Sequence, residues 1–141
     1  MKASSLPNVH PDPWVDLARG YITATARSLA DSDLQVRRSW LDPRDPRDAT
    51  IIFTDPTVAA VSPELALVWD EACGWRVGNF ESGEQGTRTV LSSVRHLGGG
   101  VLPSAPQVAQ RIQTGASEPC REYRSAADLN DGLDDALRDV T

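Results

Sequence analysis

The residues most able to bind a ligand or to take part in catalysis lie in two short stretches. One is a predicted hairpin, and the other is the glycine-rich segment that follows the next strand. The hairpin carries Trp69 and Trp75, which would lie close together across its two strands. The later segment combines an arginine, a histidine and three glycines. Aromatic rings can line a ligand groove, and glycines let backbone amides approach an anion. One hypothesis is therefore a ligand-binding site formed by Trp69, Trp75, Arg95, His96, Gly98, Gly99 and Gly100.

A structural role competes with each part of that hypothesis. The glycine segment lacks the GK[ST] ending of a phosphate-binding Walker loop, so a turn into the following helix also explains its glycines. His96 has no serine, cysteine or carboxylate at a recognised catalytic spacing. Large aromatic residues mostly serve packing, so a place in the core or on a sheet face is the alternative for both tryptophans.

Two further chemical groups near the hairpin are interpreted as structural. Asp70 and Glu71 are adjacent, and adjacent strand residues point to opposite faces, which does not suit a hydrolase carboxylate pair. We interpret them as a solvated turn. Cys73 and Cys120 form no CxxC pair and are interpreted as free thiols, and Cys73 is further interpreted as inert. We identify no catalytic residue, no metal site and no cofactor, and a non-enzymatic role is favoured while enzymatic activity is left open.

Charge marks a second candidate surface in the C-terminal segment. The formal net charge is −6, and residues 116–141 hold seven acidic residues against three arginines, so this segment carries −4 of it. An acidic balance disfavours nucleic acid, because binding to a phosphate backbone depends on cationic side chains. A narrow apolar stripe in the segment could dock on the domain, on a second copy or on a partner protein. The predicted partner-binding residues are Asp128, Leu129, Asp131, Leu133, Asp134, Asp135 and Leu137.

Periodicity predicts the elements that position these residues. Apolar residues at three- and four-residue intervals from Pro13 to Leu29 indicate one amphipathic helix, and Ser104 with Gln107 matches the capping box of a later one. Strands interrupted by turns are predicted at 34–41, 49–54, 64–80 (as a hairpin) and 87–97. Strands in a run between helices indicate an α+β fold. We expect an antiparallel meander of three to five strands flanked by an N-terminal and a C-terminal helix, plus an acidic segment that could add a short helix.

The predicted domain organisation has three parts. Residues 1–11 form a flexible arm, residues 12–115 the α+β domain, and residues 116–141 an acidic linker and tail helix. No apolar stretch has the length of a membrane span, and the N-terminal residues lack the apolar run of a secretory signal. We therefore predict a cytoplasmic protein that does not bind a membrane.

The hairpin sequence LALVWDEACGWR, residues 65–76, resembles a family of small uncharacterised actinobacterial proteins built on a domain of unknown function. The similarity rests on the N-terminal amphipathic helix, a WDE-x-x-GW hairpin and an LGGGVLP-x-x-P-x-x-VA element, here Leu97 to Ala109. It covers about residues 12–114 and leaves out the acidic segment. The resemblance implies an actinobacterial, cytoplasmic setting and supplies no catalytic residues.

Three functions from different classes are consistent with these features. The first is a non-enzymatic interaction or regulatory protein that acts through its sheet face, its acidic tail or both, with a homodimer as one form of partnership. The second is a small-ligand binder or accessory enzyme of specialised metabolism, with a pocket near Trp69, Trp75, Arg95 and His96. The third is an immunity- or antitoxin-like protein that neutralises a basic partner. The missing catalytic constellation and the acidic residues at 128–139 favour the first.

Overall fold

Five antiparallel strands, hydrogen-bonded in chain order, form the centre of the computed structural model, which describes residues 6–42, 47–56, 64–84, 87–119, 122–123 and 132–140. The strands are β1 (Gln35–Asp42), β2 (Asp48–Thr54), β3 (Leu65–Asp70), β4 (Gly74–Glu84) and β5 (Thr87–His96). The helices are α1 (Pro13–Asp16), α2 (Arg19–Asp31), α3 (Ala105–Gln113) and α4 (Leu133–Arg138). The predicted α+β meander between an N-terminal and a C-terminal helix is confirmed.

The N-terminal helix is divided, whereas the periodicity predicted one continuous helix. The Asp12 side chain accepts a hydrogen bond from the Trp14 N–H and caps α1, which ends at Asp16 before α2 begins at Arg19. The second capped helix follows its prediction. The Ser104 N–H donates to the Gln107 side chain at 2.9 Å, and the Gln107 N–H donates back to the Ser104 hydroxyl at 3.4 Å. This reciprocal pair satisfies backbone donors that the start of a helix otherwise leaves open.

Side-chain alternation divides the interior into a large core and a small one. Ile51 and Leu67 are paired on the first face of the sheet, where α2, α3 and α4 supply the opposing side chains of the large core. Ile52 and Ala66 are paired one position along, on the second face, and belong to the small core. Residues 48–53 of β2 are all buried as a result, because both faces of this strand are covered.

The second face is covered because the sheet curls over itself. The hydroxyl groups of Thr50 on β2 and Thr89 on β5 are 2.7 Å apart. Two strands separate β2 from β5, and in a flat sheet they would lie roughly 14 Å apart. Register shifts along the β4–β5 pair accompany this curvature, as expected for bulges that bend and twist a strand. The sheet face proposed as an interaction surface is thus largely occupied by the protein's own chain.

Candidate functional site

The two hairpin tryptophans lie in the large core, with their rings at most 1% exposed. Trp69 and Trp75 are cross-strand partners, as the hairpin predicted. The Trp69 indole N–H donates to the Val101 carbonyl at 2.8 Å, and that of Trp75 donates to the Tyr21 hydroxyl at 2.9 Å. The Tyr21 hydroxyl in turn donates to the Pro103 carbonyl at 2.5 Å. Both indoles therefore join the sheet to α2 and to the loop before α3, and neither ring faces solvent.

Burial sets the protonation state of the tyrosine in this chain of hydrogen bonds. Burial raises the pKa of Tyr21 well above its ordinary value, and the hydrogen bond from Trp75 only partly opposes that effect. The phenol consequently stays neutral and can donate its proton to the backbone carbonyl. Tyr21 also contacts both rings, with centroid distances of 6.1 Å to Trp69 and 5.8 Å to Trp75. The cluster stabilises the fold through packing and satisfied polar groups.

The three glycines of the predicted anion loop adopt positive φ angles, and neighbouring residues of the same chain lie against the loop. A Cβ on Gly98 would come within 2.3 Å of the Glu118 carboxylate. Arg111 donates to the Leu97 carbonyl at 2.9 Å and to the same carboxylate at 3.2 Å. Since Glu118 already lies against the loop, an external anion would have to displace it. Anion binding by Gly98, Gly99 and Gly100 stays a prediction.

Arg95 and His96 hold the segment that follows α3. The Arg95 guanidinium donates to the carbonyls of Ala116 and Ile112, at 2.7 and 3.1 Å, and so satisfies acceptors at the end of the helix. Burial lowers the pKa of Arg95. The carbonyl of His96 accepts from the Glu118 N–H at 2.9 Å, which pins the chain beside β5. Through these contacts both residues stabilise the end of α3 and the segment that follows it. A ligand-binding role for Arg95 and His96 stays a prediction.

The acidic pair at the end of β3 is buried, and its interpretation as a solvated turn was wrong. Asp70 is 8% exposed and Glu71 is 4% exposed. Asp70 accepts from the N–H groups of Ala72 and Cys73 at 2.9 and 2.7 Å and pairs with Arg76 at 3.0 Å. The Asp70 carboxylate therefore stabilises the turn by accepting hydrogen bonds from its backbone. Cys73 forms no disulfide within the part of the chain that the structure describes, and Cys120 lies outside that part.

Glu71 binds Arg47, a residue that the sequence patterns did not single out. The backbone N–H and Nε of Arg47 donate to Glu71 Oε2 at 2.6 and 2.9 Å, and Nη2 donates to Oε1 at 3.1 Å. The Glu71 N–H returns a hydrogen bond to the Arg47 carbonyl at 3.1 Å. Both side chains are nearly inaccessible. The register of β2 and β3 indicates this pair, because Asp48 lies opposite Asp70 at the end of the ladder. The next residue beyond Asp48 is Arg47, and the next beyond Asp70 is Glu71.

The same guanidinium binds the acidic tail. Arg47 Nη2 lies 2.7 Å from Asp134 Oδ1, and Nη1 donates to the Trp14 carbonyl at 2.8 Å. The guanidinium carbon also lies 4.2 Å from the centroid of the Trp14 ring, in cation–π geometry. Residues from α1, the start of β2, the β3–β4 turn and α4 thus meet at one arginine, and we call this group the Arg47 junction.

The electrostatics of the junction keep the arginine charged. Burial acts to lower the pKa of Arg47, but hydrogen bonds and charge interactions with Glu71 and Asp134 outweigh it and raise the pKa above its ordinary value. A buried cation with its donors satisfied is stable only while its partners remain in place. The two partners differ in exposure, because the Glu71 side chain is 5% exposed and that of Asp134 is 32% exposed. Glu71 is the internal partner and Asp134 the accessible one.

Docking of α4 on the domain engages three of the residues predicted to bind a partner. Leu133 and Leu137 are buried in the large core, and Asp134 lies in the Arg47 junction. Asp135 is 85% exposed and pairs with Arg138 at 2.8 Å. The other predicted partner-binding residues, Asp128, Leu129 and Asp131, lie outside the described residues.

Two structural searches were limited to the described residues. Among them, no group of three or more histidine, cysteine, aspartate or glutamate side chains is arranged to hold a metal ion. No helix in the described part of the chain is both long and apolar enough to cross a membrane.

Comparison with known proteins identifies the family and its boundaries. The profile of a family of unknown function, DUF6292, matches residues 21–114. The chain belongs to this family. The predicted relation to a domain of unknown function is confirmed, and the match stops before the acidic segment. The matched DUF6292 region contains Arg47 and Glu71, whereas Trp14 and Asp134 lie outside it. Neither the curated proteins nor the solved structures gave a significant match.

Proposed function

We propose that this DUF6292 protein is a non-enzymatic interaction module whose acidic helix α4 exchanges between its own domain and a protein partner. The observation that carries the proposal is that the Arg47 guanidinium binds two carboxylates, those of Glu71 and Asp134. Its contact with Glu71 is internal and lies within the family region, while its contact with Asp134 reaches a helix outside that region. One contact builds the domain, and the other attaches a separate element to it.

The properties of α4 favour exchange. The helix has six residues, and its N-terminal cap, Gly132, provides no side-chain hydrogen bond. Such a short helix is unstable by itself in water, so it needs a surface to pack against. That surface can be the domain, which buries Leu133 and Leu137, or a partner with an apolar groove. Because α4 also carries Asp135 and is capped at its C-terminal end by Asp139, a groove lined by basic residues would suit it best.

The contacts of the chemically capable side chains support a non-enzymatic role. Asp70, Glu71 and Arg95 each bind backbone or side-chain groups that organise the fold. Burial of Trp69 and Trp75 removes the aromatic wall on which the small-ligand alternative depended. The immunity- or antitoxin-like alternative uses the same acidic helix against a basic partner, and identification of the partner would separate it from a regulatory role.

The proposal is tested by releasing the tail without deleting it. Full-length chain is used to capture proteins from a lysate of its host, and the captured proteins are quantified by mass spectrometry. The Asp134→Ala variant, which loses the Arg47 contact, should capture the same partner in higher yield than the wild type. Asp135→Ala is the matched control, because it removes the neighbouring carboxylate without touching Arg47.

A third variant tests whether the released helix itself meets the partner. Adding Leu137→Ser to Asp134→Ala should remove the gain, because the partner would lose an apolar contact of α4. Equal capture of the same proteins by all four chains would show that the tail plays no part in binding. A gain that survives Leu137→Ser would assign binding to the surface that α4 uncovers, which also contradicts exchange of the helix.

A further inference from the structure

A groove runs between α2 and α4 on the side of α2 that faces away from the sheet core. Its volume is about 760 Å³, within the range of roughly 300–1,000 Å³ that is common for small-molecule sites. One wall is formed by α2 and the other by α4 and the residues after it. The groove therefore exists only while the tail is docked.

The floor of the groove is small and apolar. Gly20 and Ala24 are one helical turn apart on α2, and their small size leaves room above the helix surface. Leu17 contributes an apolar side chain at one end, and Leu137 and Val140 contribute the opposite wall. A ligand with a hydrocarbon body would remove this surface from water, which is the main source of favourable binding energy for such a body.

The rim of the groove is rich in arginine, in contrast to the acidic protein as a whole. Arg19, Arg27 and Arg138 line it, against two aspartates. One of these, Asp16, already accepts hydrogen bonds from the His10 N–H and from Arg19 Nε, both at 2.9 Å.

Two rim arginines are well placed to meet a ligand. Arg27 is exposed, and its side chain has no hydrogen bond or ion pair within the described residues. The Arg138 side chain is 57% exposed, and its ion-pair partner, Asp135, is even more exposed and lies outside the groove lining. Both guanidinium groups can therefore turn toward an anion at little cost.

We propose that the groove binds a small anionic amphiphile, with a carboxylate or phosphate monoester at the arginine rim and an alkyl or aryl body on the floor. Arginine suits this head group because its planar fork can donate two parallel hydrogen bonds to a carboxylate or phosphate. The site overlaps the partner surface of α4 only at Leu137, since Leu133 and Asp134 lie against the domain and do not line the groove. Because α4 forms one wall, an occupied groove favours the docked tail by mass action.

Calorimetric titration of the full-length chain with decanoate and with decyl phosphate tests the proposal. We expect both probes to bind at one site per chain, and decyltrimethylammonium, which has the same tail and a cationic head, not to bind there. Ala24→Trp should abolish binding by filling the floor. Arg27→Gln should weaken it about fivefold, the equivalent of about 1 kcal/mol for a partly exposed ion pair. Arg37→Gln, an exposed arginine of β1 outside the groove, is the matched control and should bind as the wild type does.

Amide hydrogen exchange provides a second readout that does not depend on the variants. Decanoate should increase the protection of residues 132–140, because it binds only the docked tail. Absence of binding by both anionic probes, or equal binding by decyltrimethylammonium, would overturn the proposal. Binding that is unchanged in both Ala24→Trp and Arg27→Gln would do the same. These outcomes leave the partner-capture result for Asp134→Ala unaffected, so the two proposals can fail separately.

Discussion

Replacement of Asp134 by alanine is expected to release α4 from the domain while the DUF6292 core stays folded. The substitution removes the ion pair between Arg47 and Asp134, a contact of 2.7 Å. It leaves the pairing of Arg47 with Glu71 intact, with its three donated hydrogen bonds. The guanidinium therefore keeps an internal counter-charge, and the variant chain should unfold at nearly the wild-type temperature.

The magnitude follows from the charge and exposure of the two partners. A hydrogen bond to a charged group contributes about 1.5–3 kcal/mol when it is buried. Arg47 is buried, but the Asp134 side chain is 32% exposed, so solvent screening places the contact at roughly 1–2 kcal/mol. A loss of about 1.4 kcal/mol changes an equilibrium constant about tenfold. The undocked fraction of α4 should rise by about that factor.

Amide hydrogen exchange measured by mass spectrometry reports the undocked fraction directly. Peptides that cover residues 132–140 should exchange about tenfold faster in Asp134→Ala, while peptides from α2 and β3 keep their protection. Asp135→Ala is the matched control, because both aspartates lie in the first turn of α4 and only Asp134 contacts Arg47. High salt should reduce the difference in α4 exchange rate between the wild type and Asp134→Ala, since it screens the partly exposed ion pair.

Equal exchange of α4 in the two variants would refute this reasoning. It would mean that burial of Leu133 and Leu137 alone holds the helix and that the Arg47 contact contributes nothing measurable. Faster exchange throughout α2 and β3 in Asp134→Ala would refute it differently, by showing that the tail is part of the cooperative core and not a separable element.

Three further predictions concern the interior of the domain. Glu71→Gln removes the internal counter-charge of a buried guanidinium and should lower the free energy of unfolding by about 3 kcal/mol or more, measured by urea denaturation; a loss below 1 kcal/mol would contradict its role as internal partner. The raised pKa of Tyr21 means that the unfolded chain loses this proton first, so stability should be unaffected by this group below about pH 10 and then fall by up to about 1.4 kcal/mol per pH unit. The free energy of unfolding of Tyr21→Phe, measured by urea titration at pH 9, 10 and 11, should lack this decrease. If it falls as steeply with pH in Tyr21→Phe as in the wild type, that would count against burial of the phenol. Gly74→Ala should cost at least about 2 kcal/mol more than Gly115→Ala, because both positions have positive φ but only a Cβ at Gly74 would meet a backbone oxygen, at 2.4 Å; equal melting temperatures would show that the hairpin and the glycine loop can separate freely.

Local patterns anticipated most of the elements because neighbouring residues determine them. The capping box at Ser104 and Gln107 depends on residues three positions apart, and the structure confirms it. The hairpin that pairs Trp69 with Trp75 depends on a short turn and on alternation, and its register is as expected. The division between α1 and α2 was missed, because apolar spacing continues through the break.

The candidate site was much less predictable. Arg47 is one of two arginines in a repeated Asp-Pro-Arg motif, and the repeat itself does not reveal that Arg47 is buried. Only the pairing of β2 with β3 brings Arg47 opposite Glu71. The solvated-turn interpretation of Asp70 and Glu71 failed for the same reason, since acidic residues are usually exposed unless a distant cation neutralises them.

The sequence by itself determined the antiparallel meander, the capped helix, the concentration of acidic residues after residue 115 and the family, because each depends on short-range patterns or on the order of residues along the chain. The tertiary structure alone decided which charged residues are buried, since a charge can leave water only where a partner from elsewhere in the chain meets it. That physical requirement brings Trp14, Glu71 and Asp134 to one guanidinium. It also gives the acidic tail, a plain run of charge in the sequence, a defined place on the domain.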